Sequence, residues 1–304
     1  MKTIARIFLW LIVLIAVVAG GLFAAHQVTP WPSAMLIRYA FEAGAAKTSR
    51  ALEKHVPKDV ASLLNERYDE ADAGALLDVH FPAAVDNTAQ ALPTVVWIHG
   101  GGFLSGSKGE IANYAKILAS KGFTVVGVDY SLAPAKTYPT PVRQVNVALG
   151  YLVKNARRLH VNANKFVLAG DSAGAHIAAQ LANAISVPDY AKALGIEPAI
   201  DRLRLSGAML YCGPYDLASI GRRPGAPGML AQTMGWSYFG TKDYANEERF
   251  ATFSVAKHLT PERDGPGFRD SLAAWLRWIL GLITPPIFLA PCRYHRPRRA
   301  SCRR

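Results

Sequence analysis

Cysteine is scarce in this sequence, and its scarcity excludes two classes of protein. The 304 residues contain only three cysteines, which are too few for a disulfide framework and lack the paired spacing of a structural zinc site. We therefore predict neither a disulfide scaffold nor a metal centre. Cys212 directly follows an apolar run, and we expect its side chain to be buried.

Charged side chains are also sparse. They make up 18% of the chain, against 51% hydrophobic residues, and this balance excludes a protein that is disordered throughout. No charged residue occurs between Arg6 and Arg38, and residues 7–25 form a run of nineteen apolar or small residues. A helix needs about 20 such residues to span a bilayer. Residues 1–27 are therefore predicted to be a membrane anchor, with a cleaved signal segment as the open alternative.

The residues around this run predict its orientation. Lys2 and Arg6 precede it, so the positive-inside rule keeps the N-terminus in the cytoplasm and places the following domain on the extracytoplasmic side. If the segment is cleaved, the protein is secreted or periplasmic. Residues 28–67 read as a linker with helical patches, and Trp31 lies where an interfacial aromatic residue anchors a span.

From residue 76 onward, apolar strand patterns alternate with helical patterns. The predicted strands are 76–81, 92–98, 124–128, 166–169 and 203–211, and the predicted helices are 111–120, 142–156 and 173–185. Such alternation, with nearly continuous apolar strands, predicts an α/β fold with a mostly parallel sheet covered by helices on both faces.

The most informative motif follows one of these strands. Residues 166–174 read Phe-Val-Leu-Ala-Gly-Asp-Ser-Ala-Gly and lead into a helical pattern. A strand, the spacing Gly-x-Ser-x-Gly and a helix make up a nucleophile elbow, in which two glycines permit a sharp turn and expose the serine hydroxyl. Ser172 is therefore the candidate nucleophile. A chance match is the alternative, because the motif fixes only three positions.

A second motif follows the strand at 92–98. Residues 99–103 read His-Gly-Gly-Gly-Phe, and amides in such a glycine run can approach a ligand without interference from Cβ atoms, as an oxyanion hole requires. A flexible glycine turn is the alternative. The two strand-borne motifs together are far more specific than either one alone.

With Asp-Tyr-Ser-Leu-Ala-Pro at residues 129–134, these motifs resemble the hormone-sensitive-lipase-like carboxylesterases and lipases of the α/β-hydrolase superfamily, over about residues 68–261. The resemblance implies an α/β-hydrolase fold and a serine esterase that acts on a small-molecule ester without a cofactor. It implies an acyl-enzyme intermediate at Ser172 and an oxyanion hole built from the amides of Gly100, Gly101 and Ala173. It also implies that residues 28–67 contribute to a cap over the site.

The resemblance further implies a catalytic acid and a histidine, in that order, after the serine. Here the sequence departs from the family, because no acid loop is recognisable after residue 261. Three histidines follow the serine. We expect His176 to be packed within its helix and His258 to lie on the surface, whereas His295 keeps the family's order and is the candidate base.

Asp264 or Asp270 satisfies the required order before His295, although neither follows a strand pattern. Residues 262–304 hold nine arginines, no lysine and three acidic residues, and their net charge of +6 is half of the +12 of the chain. Our hypothesis is a frameshift near residue 262, which would remove the last strands of the sheet.

A native arginine-rich tail that binds anionic lipid is the rival interpretation. We predict no nucleic-acid partner, because the domain is expected to be extracytoplasmic. The functional alternative is a non-catalytic or truncated hydrolase-like protein that lacks the acid and the histidine.

Overall fold

A six-stranded sheet forms the centre of the protein in a computed structural model that describes residues 2–215, 225–255 and 258. Two helices precede the sheet, α1 (Lys2–Val28) and α2 (Trp31–Glu53). The strands are β1 (Val60–Arg67), β2 (Leu76–Pro82), β3 (Leu92–Ile98), β4 (Thr124–Val128), β5 (Val161–Asp171) and β6 (Leu205–Tyr211). The other helices are α3 (Ala112–Ala119), α4 (Thr140–Lys154), α5 (Ala173–Ser186), α6 (Pro188–Leu194), α7 (Ala226–Phe239) and α8 (Phe250–Phe253).

The strand order is β1-β2-β4-β3-β5-β6. The four strands from β4 to β6 are parallel, whereas β2 pairs antiparallel with both β1 and β4. The predicted α/β fold with a mostly parallel sheet is thus confirmed. The register brings Ile98 at the end of β3 opposite Gly170 near the end of β5, so the loops that follow these two strands begin side by side.

Both faces of the sheet are covered. Val96 and Ile98 of β3 join one buried cluster with residues of α4 and α5, while Val95 and Trp97 join a second cluster with residues of α3. Successive side chains of a strand point to opposite faces, so the two clusters lie on the two faces. The predicted helical cover on both faces is confirmed.

The structure also contains elements that the sequence pattern missed. Strand β1 lies within residues 28–67, which the pattern predicts as a linker, and it forms an edge strand whose side chains are half-buried or exposed. Such a strand carries no continuous apolar run, which explains why periodicity overlooks it. The prediction that Cys212 is buried is wrong, because this residue lies one position past the end of β6 and is exposed.

Helix α1 is exposed along its length. Within the described residues, Arg6–Val28 is long and apolar enough to cross a membrane, with a mean hydropathy of 2.8 and no buried residue in that window. Its C-terminal end is held, since Lys242 Nζ donates to the Gln27 carbonyl oxygen at 2.6 Å and the His26 ring lies 5.7 Å from the Trp236 ring of α7. Length and composition fit an anchor and a signal segment equally.

Candidate active site

Ser172 occupies a tight turn between β5 and α5. It is the one residue between Asp171, the last of the strand, and Ala173, the first of the helix. Its backbone has φ 50° and ψ −117°, a conformation that costs a non-glycine residue about 1–3 kcal/mol. The Ser172 amide donates to the Tyr211 carbonyl oxygen at 2.7 Å, which ties the turn to the end of β6. A strained serine at the end of a central parallel strand is the geometry that the elbow motif predicts.

The two glycines of the motif are required by close packing. A Cβ atom at Gly174 would lie 2.0 Å from the Ile98 carbonyl oxygen, and one at Gly170 would lie 2.7 Å from the same oxygen. Both distances are far below any real contact, and the obstructing atom belongs to the backbone. Glycine at these positions therefore lets α5 pack directly against the end of β3 and carry Ser172 next to the following loop.

That loop, residues 99–106, depends on glycine for another reason. Gly101, Gly102 and Gly106 have φ values of 102°, 63° and 101°, which L side chains rarely adopt. The Gly101 carbonyl oxygen accepts from the amides of Leu104 and Ser105, each at 3.0 Å. These bonds curl the loop back on itself at the end of β3.

The loop and the elbow are in direct contact. A Cβ atom at Gly100 would lie 2.3 Å from a carboxylate oxygen of Asp171. Burial raises the pKa of Asp171, and hydrogen bonds from the Trp97 indole and the Gly100 amide oppose that rise. Trp97 Nε1 donates to Asp171 Oδ1 at 3.2 Å. The Gly100 amide, which the family resemblance assigns to the oxyanion hole, thus has the Asp171 carboxylate as a hydrogen-bond acceptor here.

His99 and Tyr130 stiffen the start of the loop. Their rings stack with centroids 4.2 Å apart, and the Tyr130 hydroxyl donates to the His99 carbonyl oxygen at 2.9 Å. His99 Nδ1 lies 2.9 Å from the Gly100 carbonyl oxygen, and because a carbonyl only accepts, Nδ1 carries the proton. Burial lowers the pKa of His99 to about 4, so its ring is neutral at physiological pH.

A cavity of about 500 Å³ opens beside Ser172. Helix α2 forms one wall with Phe41, Gly44 and Thr48, and Trp97 lies on the wall formed by the sheet. Ser172, Gly100, Gly101 and Asp171 all line this space, so the structure brings the predicted nucleophile and both loop glycines to one place. The position of α2 fits the cap that the resemblance implies for residues 28–67.

The histidines that follow the serine lie elsewhere or outside the described residues. His176 is fully buried, its ring stacks on Phe253 at 4.1 Å, and burial lowers its pKa to about 3. The ring of His258 lies 4.9 Å from that of Tyr190, and its Nε2 atom pairs with a backbone carbonyl oxygen. Neither lines the cavity with Ser172. The candidate base and acids, His295, Asp264 and Asp270, lie outside the described residues, as does the rest of the tail.

The pattern of motifs did not point to several residues of the cavity. Glu110, Tyr114 and Asp171 line it together with Trp97 of β3. Glu110 lies in the turn that precedes α3, and Tyr114 lies in the first turn of that helix. The aspartate inside the Gly-Asp-Ser-Ala-Gly motif was visible in the sequence, but its contact with the glycine loop required the register of β3 and β5.

Known proteins share this fold. Esterase B of Lactobacillus rhamnosis is 23% identical with a TM-score of 0.63, over 82% of this chain and 80% of that chain. An esterase of Pyrobaculum calidifontis is 25% identical with a TM-score of 0.55, over 77% and 72%. A bacterial heroin esterase is 23% identical with a TM-score of 0.55, over 81% and 79%. The family model described as BD-FAE matches residues 77–263, which is more than half of the chain. The chain therefore belongs to the BD-FAE family and has the fold of the α/β-hydrolase superfamily.

Proposed function

We propose that the protein is a serine hydrolase that cleaves carboxylic esters through an acyl-enzyme intermediate at Ser172. The observation that carries the proposal is the strained backbone of Ser172 beside a glycine loop, at the edge of a cavity of about 500 Å³. The family and the fold support ester hydrolysis in general, because the structures with this fold that are described above are named as esterases.

The reaction follows from the positions of these groups. Ser172 Oγ attacks the ester carbonyl carbon while a base accepts the hydroxyl proton, and the carbonyl oxygen becomes an oxyanion. The amides of Gly101 and Ala173 then donate to that oxygen, and Gly100 joins them when its amide is not held by Asp171. Ala173 opens α5, so its amide lies at the positive end of a helix dipole. Each such donor typically stabilises the transition state by about 2.7–4 kcal/mol.

The second half of the reaction reverses these roles. The base gives its proton to the leaving alcohol as the ester carbon–oxygen bond breaks, which completes acylation. Water then attacks the acyl carbon while the same base accepts its proton, and the base returns that proton to Ser172 Oγ as the bond to the acyl group breaks and the carboxylic acid leaves. We assign this base to His295, with Asp264 or Asp270 as the acid that orients it, because they keep the order acid then histidine after the serine.

We further propose that α1 anchors the enzyme in a membrane with the hydrolase domain on the extracytoplasmic side. The exposed apolar surface of residues 6–28 and the basic residues that precede it in the sequence support this arrangement. Release of the domain as a secreted or periplasmic protein is the alternative.

A non-catalytic hydrolase-like protein is the second candidate function. It is favoured by one observation: among the described histidines after Ser172, His176 is enclosed by aromatic rings and His258 is bonded to a backbone carbonyl. If the tail supplies no base, the elbow and the glycine loop are present but Ser172 is not activated for ester hydrolysis.

Hydrolysis of p-nitrophenyl butyrate by the detergent-solubilised full chain tests the proposal. We expect Ser172→Ala to abolish the rate above background and to abolish labelling by a fluorophosphonate probe, because both require the activated hydroxyl. Ser206→Ala, at an exposed position of β6, is the matched control and should retain both signals.

The variant His295→Ala separates the two candidate functions. Loss of about 10³-fold or more in kcat, with the chain still folded, supports His295 as the base. An unchanged rate contradicts that assignment. Absence of hydrolysis and of labelling in the unmodified chain contradicts the catalytic proposal and favours the non-catalytic alternative.

A further inference from the structure

Glu110 contributes a carboxylate to the same cavity as Ser172. Its side chain is partly buried and has no hydrogen bond or ion pair with any residue of 2–215, 225–255 or 258. Burial raises its pKa to about 7, and the negative charges of Glu42, Asp171 and Asp129 add to the rise. Removing an ionised carboxylate from water without a partner is unfavourable. A ligand with a positive charge would offset the negative charge of Glu110 in the free cavity.

No basic side chain of the described chain supplies that charge. Lys108, two positions away, pairs with Asp78 Oδ1 at 2.9 Å and with Asn65 Oδ1 at 2.8 Å. Arg38 of α2 is held by the carbonyl oxygens of Leu104 and Ala133. Among the described residues, those that line the cavity include no lysine and no arginine.

The one histidine of the described lining is neutral. His99 is buried with a pKa lowered to about 4, and its Nε2 atom has no hydrogen-bond partner in the described part of the chain. Since the carboxylates of Glu110 and Asp171 line the cavity and His99 is neutral, the electrostatic character of the cavity is anionic.

Two aromatic rings line the same cavity as Glu110. Trp97 and Tyr114 both line the cavity with Glu110, and their rings pack edge to face with centroids 4.9 Å apart. The bond from the Trp97 indole to Asp171 fixes the orientation of one ring. Burial raises the pKa of Tyr114 to about 12, so its hydroxyl remains neutral. Aromatic rings and a carboxylate that line one cavity can both interact favourably with a desolvated ammonium group.

We infer that the cavity accepts esters that carry a cationic ammonium group, which pairs with Glu110 and lies against Trp97 and Tyr114. This inference rests on the proposed function, because it names the substrate class of the site at Ser172. It makes Glu110 a specificity-determining residue, with no part in the bond-breaking steps.

The inference has a consequence for pH. A bound cation favours the ionised form of Glu110, so binding releases a proton when the free carboxyl is protonated. The other groups around the cavity are the carboxylates of Glu42, Asp171 and Asp129, the neutral ring of His99 and the neutral hydroxyl of Tyr114. All three carboxylates disfavour ionisation of the free Glu110. Affinity for a cation should accordingly rise between pH 6 and pH 8.

A matched pair of ligands tests the inference without requiring turnover. We would measure binding of 3-hydroxyphenyltrimethylammonium and of its neutral isostere 3-tert-butylphenol to the detergent-solubilised full chain by calorimetry at pH 8. We expect the cation to bind about tenfold more tightly or better. The variant Glu110→Gln should remove this preference and leave binding of the neutral phenol unchanged. Glu70→Gln, at an exposed position outside the cavity lining, is the control and should retain the preference.

Two outcomes overturn the inference. Equal affinities of the two ligands for the unmodified chain would show that the cavity does not select a cation. A preference that survives in Glu110→Gln would remove Glu110 from the site. Binding is measured separately from hydrolysis, so the two proposals can fail independently. A chain that prefers the cation but cleaves no ester contradicts the proposed function alone. A chain that cleaves neutral esters without preferring the cation contradicts this inference alone.

Discussion

The two glycine-containing turns at the ends of β3 and β5 use the same residue type for different physical reasons. In the loop at residues 99–106, four residues have positive φ values, and three of them are glycines that adopt this backbone readily, the fourth being Phe103 with φ 65°. In the elbow at residues 170–174, neither glycine has a positive φ, and both are needed because the backbone of β3 lies against them. In the elbow, Ser172 is the residue with a positive φ value. The loop therefore places most of its positive φ values on glycines and one on Phe103, whereas in the elbow the positive φ value belongs to Ser172, the proposed nucleophile.

Each turn also has its own buried histidine. His99 belongs to the loop and is supported by a stacked Tyr130 and a bond to a carbonyl oxygen. His176 belongs to the helix of the elbow and is surrounded by aromatic rings, including Phe103 and Phe253. Burial lowers both pKa values, so acid acts against the packing of both turns.

The largest expected effect on stability comes from adding a methyl group where the elbow packs against the end of β3. In Gly174→Ala the new methyl group would lie 2.0 Å from the Ile98 carbonyl oxygen, and neither backbone can yield without displacing α5. We expect the free energy of unfolding to fall by about 3 kcal/mol or more. Urea denaturation of the detergent-solubilised chain, followed by circular dichroism, measures the loss.

The control for this prediction is Gly207→Ala in β6, where an added Cβ atom meets nothing within 4 Å. Its unfolding free energy should change by less than about 0.5 kcal/mol. If Gly174→Ala were as stable as this control, the account of the elbow as a close-packed turn would be wrong.

The next effect concerns the acid sensitivity of the elbow, through its histidine. The pKa of His176 is lowered in the folded state to about 3, so the unfolded chain binds a proton first as pH falls. The contribution of neutral His176 to the free energy of unfolding is fully present above the pKa of about 6.5 that histidine has in the unfolded chain. It is lost progressively as pH falls toward 3, by about 1.4 kcal/mol per pH unit. We expect His176→Phe to remove this component, because phenylalanine fits an aromatic environment and binds no proton.

Unfolding free energies of the unmodified chain and of His176→Phe between pH 7.5 and pH 4.5 measure that component. The difference between the two should shift in favour of the variant as pH decreases. His55→Phe, a substitution at the surface, controls for the added ring. Parallel curves for the unmodified chain and His176→Phe would mean that His176 does not contribute to acid sensitivity.

Both turns could be predicted from the sequence because each is a local pattern, an apolar strand that ends in glycines at fixed spacing. The adjacency of β3 and β5 and the register that brings their ends together are tertiary features, which no local pattern predicts. The cavity could not be predicted in the same way. Its walls combine Phe41 of α2, Trp97 of β3 and Glu110 before α3, and no local pattern relates residues so far apart in the chain.

Two misreadings have the same physical origin. Strand β1 is a half-buried edge strand, so its side chains show no continuous apolar run. Helix α2 is one continuous helix of 23 residues, yet its sequence shows only helical patches because much of its surface is exposed and few positions need to be apolar. Weak burial leaves a weak sequence signal, whereas β3, exposed only at Pro93, and the fully buried β4 carry the apolar runs that predict strands.

The smallest expected effect tests where the strain lies. Ser172→Gly removes the Cβ atom that makes φ 50° unfavourable, whereas Ser172→Ala removes the hydroxyl and keeps that atom. Glycine relieves about 1–3 kcal/mol of backbone strain in the folded state, but its greater conformational freedom stabilises the unfolded chain. The net gain in the free energy of unfolding is about 1 kcal/mol. We therefore expect Ser172→Gly to unfold at higher urea concentration than Ser172→Ala. Equal stability would mean that the elbow relaxes around an L residue, and that the strain of this turn is not concentrated on the residue proposed to carry the chemistry.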